Sequence, residues 1–419
     1  VKRRAFLRNL GTLGLVGSIA GCKYWPEQGL RNPCLNTLPD SVARHPLVLS
    51  LWEGLDPTQV WDSHTHLVGG GDPLTGAWYS PNLDSVWHPF LRMQKAFYTN
   101  AGCMRGETHA WDQSYVARLS HLLELMPPGF KTMLFAFDWY HNEHGDIDKN
   151  RSMFFIPNVY AANVARSNRE RYEWVASIHP YRRDSVDALK SAIRDGARAI
   201  KWLPSAQGID PMSARCDDFY TAMADSKLPL ICHAGLEIAV QGGHQEFGNP
   251  LRLRRAMDHG VRVVVAHCAS DGNDIDIDQG PDGPSVRSYE LFARMMDEQR
   301  YANLLYGDIS ALTQLNRNWA LKDVLKRVDW HPRLLNGSDY PLPGIMPLFS
   351  ATDIANMGLI DIAAVPLLQQ IRPHNSLLFD FMLKRLLRFE KQGFANSVFE
   401  TRKFFQPSSG SADTLIRKS

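Results

Sequence analysis

From residue 60 onward, short runs of β-branched and aromatic residues alternate with longer stretches of helical periodicity, a pattern that restricts the chain to α/β folds with a parallel sheet. The strand-like runs cover residues 60–66, 131–137, 172–178, 197–201, 228–233, 261–267, 303–308 and 333–339. Helical patterns fall between them at 115–125, 159–171, 185–195, 213–226, 250–259, 289–299 and 319–327. Eight such units predict a closed (β/α)8 TIM barrel over residues 60–400, with a helical C-terminal extension. An open doubly wound sheet is the competing arrangement, but no GxGxxG turn follows the first strand. Residues 23–59 are expected to form a linker and N-terminal segment, and 401–419 a disordered tail. Two insertions, 67–114 after the first strand and the Asp-rich 271–288 after the sixth, would overhang the C-terminal mouth, where barrel enzymes keep their chemistry. The spacing of the acidic insertion does not match a calcium loop and reads as a solvated segment.

Strand periodicity places His64 and His66 on one face, side by side at the end of the first strand. An isolated HxH pair is weak evidence for a metal. The pattern recurs, however: His233 ends the fifth strand, His267 the sixth and Asp339 the eighth, each after an apolar run. A closed barrel gathers these strand ends at one rim, whereas a purely structural account must bury five polar side chains at matching positions.

The segments Lys201-Trp202-Leu203-Pro204, Leu228 through Gly235 and Asn336-Gly337-Ser338-Asp339-Tyr340-Pro341 resemble the amidohydrolase superfamily, in the branch that contains aminocarboxymuconate semialdehyde decarboxylase. The resemblance covers residues 60–341. It implies that His64, His66, His233 and Asp339 bind a divalent metal, most often zinc, and that Asp339 also takes the proton from the attacking water. Imidazole and carboxylate donors suit zinc, and an open position in such a site activates water at neutral pH. Some members carry a carboxylated lysine at the end of strand four that bridges two metals, the strand-six histidine serving the second. Here those positions are Lys201 and His267, so the resemblance allows one ion or two, and in the one-metal form His267 is a catalytic group. Leu203 stands where the branch more often has histidine, and Lys201 has an ion pair beneath the site as its plain structural alternative.

This pattern leads to a metal-dependent hydrolase in which activated water attacks an ester, lactone or amide carbonyl. Non-oxidative decarboxylation on one metal is the alternative, and a barrel retained for binding without catalysis is a third reading. His179, Arg182 and Trp202 are candidate substrate-binding residues, Arg182 or Arg183 as a bidentate carboxylate clamp. His141, His144 and His244, with Trp78, Trp87, Trp111 and Trp139, also fall on candidate mouth loops.

Lys2-Arg3-Arg4-Ala5-Phe6-Leu7 followed by a short apolar run resembles a twin-arginine export signal, and Ile19-Ala20-Gly21-Cys22 resembles a lipobox. Residues 1–22 are therefore expected to be an export signal, with Cys22 lipidated and the protein anchored at the periplasmic face of a membrane. The five remaining cysteines, at 34, 103, 216, 232 and 268, form no CxxC pair, and a disulfide framework is not indicated. With 46 Lys and Arg against 44 Asp and Glu, the chain has no overall field to draw in nucleic acid, so a small-molecule substrate is expected. Oligomeric state is not legible.

Overall fold

The computed structural model describes residues 26–240 and 242–406, so residues 1–22, expected to be an export signal, and Cys22 with them lie outside the described residues. Eight parallel strands form the barrel: β1 Trp61–His66, β2 Lys131–Phe135, β3 Tyr172–Val175, β4 Ile200–Trp202, β5 Leu230–His233, β6 Val263–Ala266, β7 Leu305–Asp308 and β8 Leu334–Leu335. Pairing is continuous through β1–β2–β3 and through β4 to β8. Parallel bridges from Ala176 to Ile200 and from Thr65 to Tyr340 join the two arcs into a closed ring. Helices Trp111–Glu124, Asn158–Ser167, Ser185–Arg194, Asp217–Asp225, Arg254–Asp258, Ser288–Met296 and Leu321–Lys326 occupy the predicted crossovers.

Period-two alternation divides the apolar residues between two cores. Met133, Phe135, Val175, Ala199, Ile231, Val264 and Leu335 fill the barrel, while Leu134, Trp174, Ile200, Trp202, Cys232 and Val265 pack outward on the helices. Strand β1 breaks the alternation. Asp62 pairs with Thr132 and Thr65 with Leu134, so β1 carries one extra residue against β2. Trp61 points into the barrel below this bulge, and the extra residue is what turns His64 and His66, rather than Ser63 and Thr65, toward the interior.

Gly337 lets β8 close against β1, because a Cβ on it would lie 2.5 Å from that of His64. The buried Lys384 Nζ donates to the Gly337 carbonyl and to Asp380, each at 2.6 Å, and so ties this turn to the C-terminal helix Ser376–Leu386.

Two boundary expectations require correction. Residues 26–59 are packed rather than a linker: Leu38, Val42, Val48, Leu51 and Leu55 are buried in the outer core. Residues 401–406 are packed rather than free, with Phe404 and Phe405 inserted among the interior residues as a plug at the N-terminal end of the barrel. Apolar side chains otherwise facing water at an open barrel end supply the driving force for both. Cysteine pairing also departs from the expectation, since Cys34 and Cys103 form a disulfide between the N-terminal segment and the first insertion. Cys216, Cys232 and Cys268 are free and buried.

Both insertions cover the mouth. In the first, Trp78–Tyr79 pairs antiparallel with Phe154–Phe155, and helix Pro89–Ala101 reaches the loop after β5 through Gln94, which donates to the Ile238 carbonyl at 3.1 Å. In the second, Asn273–Ile275 and Ser285–Arg287 form a hairpin. Two of its acidic residues are paired with arginines: Arg294 binds Asp276 through both terminal nitrogens, and Arg254 binds Asp278.

Candidate metal centre

Strands β1, β4 and β7, with the turns after β6 and β8, deliver polar residues to one cluster at the rim. His64 Nδ1 lies 2.8 Å from Asp308 Oδ2. Because a carboxylate can only accept, the proton sits on Nδ1 and the Nε2 lone pair faces the barrel axis. That Nε2 is 3.4 Å from Asp339 Oδ1, and His66 Nε2 approaches the same oxygen at 3.1 Å. His267 Nδ1 lies 3.0 Å from the Ser310 carbonyl, which fixes its proton in the same way and leaves Nε2 directed at Asp339 Oδ2, 3.7 Å away. Lys201 Nζ completes the group at 3.3 Å from His64 Nε2.

Asp308 is saturated as an acceptor. Its Oδ1 receives the backbone N–H groups of His267 and Ser310 at 2.8 and 3.0 Å and also the Ser310 hydroxyl, while Oδ2 takes His64. It therefore positions the rings. Asp339 is the opposite case: its Oδ1 is buried and receives no hydrogen bond. A buried acceptor without a donor is a costly arrangement that a bound cation relieves.

His233 shares the rim but not the tight group. Its ring faces His267 with centroids 5.4 Å apart, and its Nε2 is 3.4 Å from the Leu236 carbonyl and 3.5 Å from Glu237 Oε2. Nitrogen and oxygen atoms of His64, His66 and Asp339 lie close enough together to hold one ion.

Electrostatics favour cation binding. Burial, reinforced by the Lys201 charge, holds His64 down to about 4, with Asp308 and Asp339 opposing. Burial likewise takes His267 down to about 3 against the pull of Asp339, and holds His233 well below the ordinary histidine range. Neutral imidazoles are the form that binds metal. Burial works against ionisation of Asp339, yet the surrounding His267, His64 and His66 outweigh it and hold the carboxyl well below its usual range. The donor set therefore fits a divalent cation.

Residues 61–345, more than half of the chain, match the family model described as amidohydrolase. The chain belongs to the amidohydrolase family. No curated protein matches it. Among solved structures, it is similar to an uncharacterised TIM-barrel protein from Bordetella bronchiseptica, at 14% identity over 77% of this chain and 99% of that one, with a TM-score of 0.44. It is similar also to a probable 2-pyrone-4,6-dicarboxylic acid hydrolase from Acinetobacter baumannii, at 13% identity over 80% and 97%, TM-score 0.43. A 2,6-dihydroxybenzoate decarboxylase aligns at 14% identity over 76% and 98%, TM-score 0.39. These likenesses are distant.

The three expected substrate contacts of this amidohydrolase do not reach the cluster. Trp202 follows the inward-facing Lys201 and so points outward, where its indole is fully buried against Phe219 and Tyr220 and donates to the Ile178 carbonyl at 2.9 Å. Arg182 is occupied by Asp138 at 3.0 Å and Asp184 at 2.7 Å. His179 is buried, with Nε2 on the Gln207 carbonyl at 3.0 Å and Nδ1 accepting from the Tyr181 N–H at 3.2 Å. Of the remaining mouth candidates, His141 bonds the Gly145 carbonyl, His244 bonds Tyr140 and Arg151, and Trp78 and Trp139 pack on each other. Asp308, Ser310 and Glu237 join the site without a motif that singles them out. Asp308 carries the same signal as the metal-site candidates, a polar side chain closing an apolar strand; the other two lie in loops and carry no pattern.

Proposed function

We propose that this amidohydrolase is a metal-dependent hydrolase that opens an ester, lactone or amide, with His64, His66 and Asp339 holding the cation and His233, Lys201 and His267 bordering it. The observation that carries this reading is the two-sided placement of Asp339. Oxygen Oδ1 faces the histidine pair of β1 without a donor, and Oδ2 faces His267. A divalent cation held there would supply Lewis-acid activation of water and of the substrate carbonyl, and zinc would suit the donors. Asp339 Oδ2 accepts the proton of the attacking water, and His267 Nε2, with its own proton fixed on Nδ1, stands next to that oxygen to relay the proton toward the leaving group. Asp308 and Ser310 keep both rings in these tautomers.

The test is a panel of lactones, esters, amides and aromatic carboxylates offered to zinc- or manganese-loaded protein in 18O-labelled water. Hydrolysis places one label in the product carboxylate. Release of carbon dioxide without incorporation would replace this reading by decarboxylation, and inertness of the metal-loaded protein toward the whole panel would favour a binding role.

We also propose that the protein is exported and anchored through Cys22. Support comes from the lipobox-like sequence and from the Cys34–Cys103 disulfide, a bond that persists in oxidising compartments. Cys22→Ala should move the protein out of the membrane fraction. A wild-type protein recovered soluble with an unmodified Cys22 would refute the anchor.

A further inference from the structure

The position of Glu27 fixes which side of the molecule an anchor on Cys22 would draw to a membrane. A helix that follows a barrel strand starts at the C-terminal mouth. Glu27 sits at the head of such a helix, Ala351–Asn356 after β8, where its carboxylate accepts from the Ala351 N–H at 3.0 Å and the Ser350 hydroxyl at 3.1 Å. Further on, the Asn32 N–H donates to Asn100 Oδ1 at 2.8 Å and Asn100 Nδ2 donates back to the Asn32 carbonyl at 3.0 Å, at the last turn of the mouth-covering helix Pro89–Ala101. Residues 27–32 therefore run along the mouth rim. Cys22 precedes Pro26 by four residues, a span of at most about 14 Å whatever path they take. A lipid on Cys22 would hold a bilayer surface within that distance of residue 26.

The same face is apolar where it meets water. In the first insertion Trp87 is 87% exposed, Val86 66% and Leu74 89%. The turn that carries Trp87 is pinned from within: the Ser85 hydroxyl accepts the Trp87 N–H at 3.2 Å, and Asp84 takes Lys95 and the Tyr79 hydroxyl. Leu83 and Leu91, on either side of this turn, are buried together with Met153. Met93 and Ile238 are also exposed, and the bond from Gln94 to the Ile238 carbonyl at 3.1 Å brings their segments together. Single exposed apolar residues are ordinary, but a tryptophan and a valine held outward side by side on a supported turn, with a methionine on the helix that follows, mark an interaction surface. Tryptophan is the side chain enriched where apolar contact meets lipid headgroups.

We propose that the mouth rim of the first insertion docks on a lipid bilayer, with Val86, Trp87 and Met93 in the boundary between headgroups and acyl chains, so that the metal centre opens toward the membrane surface. This rests on the Cys22 anchor for the orientation, though not for the affinity of the rim itself. An anchor raises the effective concentration of the rim at the surface, so that a modest apolar contact is populated.

The experiment reconstitutes the full-length, metal-loaded protein in vesicles of phosphatidylethanolamine and phosphatidylglycerol. A polarity-sensitive fluorophore is placed on His88→Cys beside the rim, or on Glu170→Cys in the loop before β3 at the opposite end of the barrel. Both positions are exposed, and the His88 side chain caps no backbone group. Cys216, Cys232 and Cys268 are buried and Cys34 is paired with Cys103, so in a protein lipidated at Cys22 the added thiol takes the label. The probe at 88 should shift to shorter wavelength and be quenched by brominated lipid, and the probe at 170 should do neither. Val86→Ser combined with Trp87→Ser should return the first probe to water while the protein still floats with the vesicles. Label taken up at Cys22 by wild type would refute the anchor. The rim is then read by flotation of the unanchored protein, where roughly tenfold weaker vesicle binding in the double variant supports the proposal. Both probes in water, equal flotation of unanchored wild type and double variant, or a dimer that the double variant abolishes while the probe stays out of lipid would each overturn it.

Discussion

Asp308 Oδ2 holds His64 Nδ1 at 2.8 Å, and both residues are fully buried. The contact links the end of β7 to the end of β1 across the barrel and decides which nitrogen of His64 is free. Carboxylates behind a metal-binding histidine fix its tautomer and raise its basicity. Asp308→Asn should therefore weaken metal retention by about 10–100-fold without preventing folding. Chelator competition on the purified variant measures it, and a metal affinity equal to wild type would show that Asp308 has no part in orienting His64.

The number of ions turns on Lys201 and His267, which lie on different sides of the same group. A lysine amine, with an ordinary pKa of about 10.4, binds metal poorly until carboxylation gives it an anionic oxygen. With two ions in the wild type, Lys201→Ala and His267→Ala should each reduce the metal content by about half, and bicarbonate should assist reloading of the stripped protein. Elemental analysis decides it. Unchanged metal in both variants together with slower turnover would mean a single ion, with His267 acting on the substrate.

Arg182 is better placed to hold Asp138 than a substrate. Burial alone would raise the Asp138 carboxyl, but the His141 ring 3.9 Å away, the Arg182 charge and the His179 N–H hold it below its usual range. A carboxyl lowered in the folded state contributes stability above its unfolded pKa of about 3.9 and loses it as pH falls through the folded value. Arg182→Met removes a lowering charge, so its acid unfolding midpoint should move to higher pH. KM at neutral pH should stay near the wild-type value. An acid transition identical to wild type, or a large rise in KM, would restore Arg182 as a substrate contact.

Phe405 is 2% exposed within the barrel interior, where it and Phe404 pack beside Trp61 and Val264. Phe405→Ala should cost roughly 3–5 kcal/mol of stability, the usual loss for a buried aromatic residue that leaves a cavity. Denaturant titration measures this. Metal content should not change, because the plug and the centre occupy opposite ends of the barrel. A variant as stable as wild type would show that the C-terminal segment packs without closing the barrel.

The amino-acid sequence by itself determined the eight strands, the crossover helices between them and five polar strand ends at one rim, because period and strand order follow from local residue pattern. His64, His66, His267 and Asp339 converge as that pattern requires, and Lys201 joins them. Tertiary structure decided what depends on partners distant in the chain. The bulge that turns His64 and His66 inward exists only in the pairing of β1 with β2. Pairing of Cys34 with Cys103 and insertion of Phe404 into the barrel need segments brought together by folding. Trp202 and Arg182 look available in one dimension, yet one points away from the barrel axis and the other is held by two carboxylates. Arg317 is the converse: an ordinary loop arginine by sequence, it becomes unusual only when folding buries its Nε without a partner.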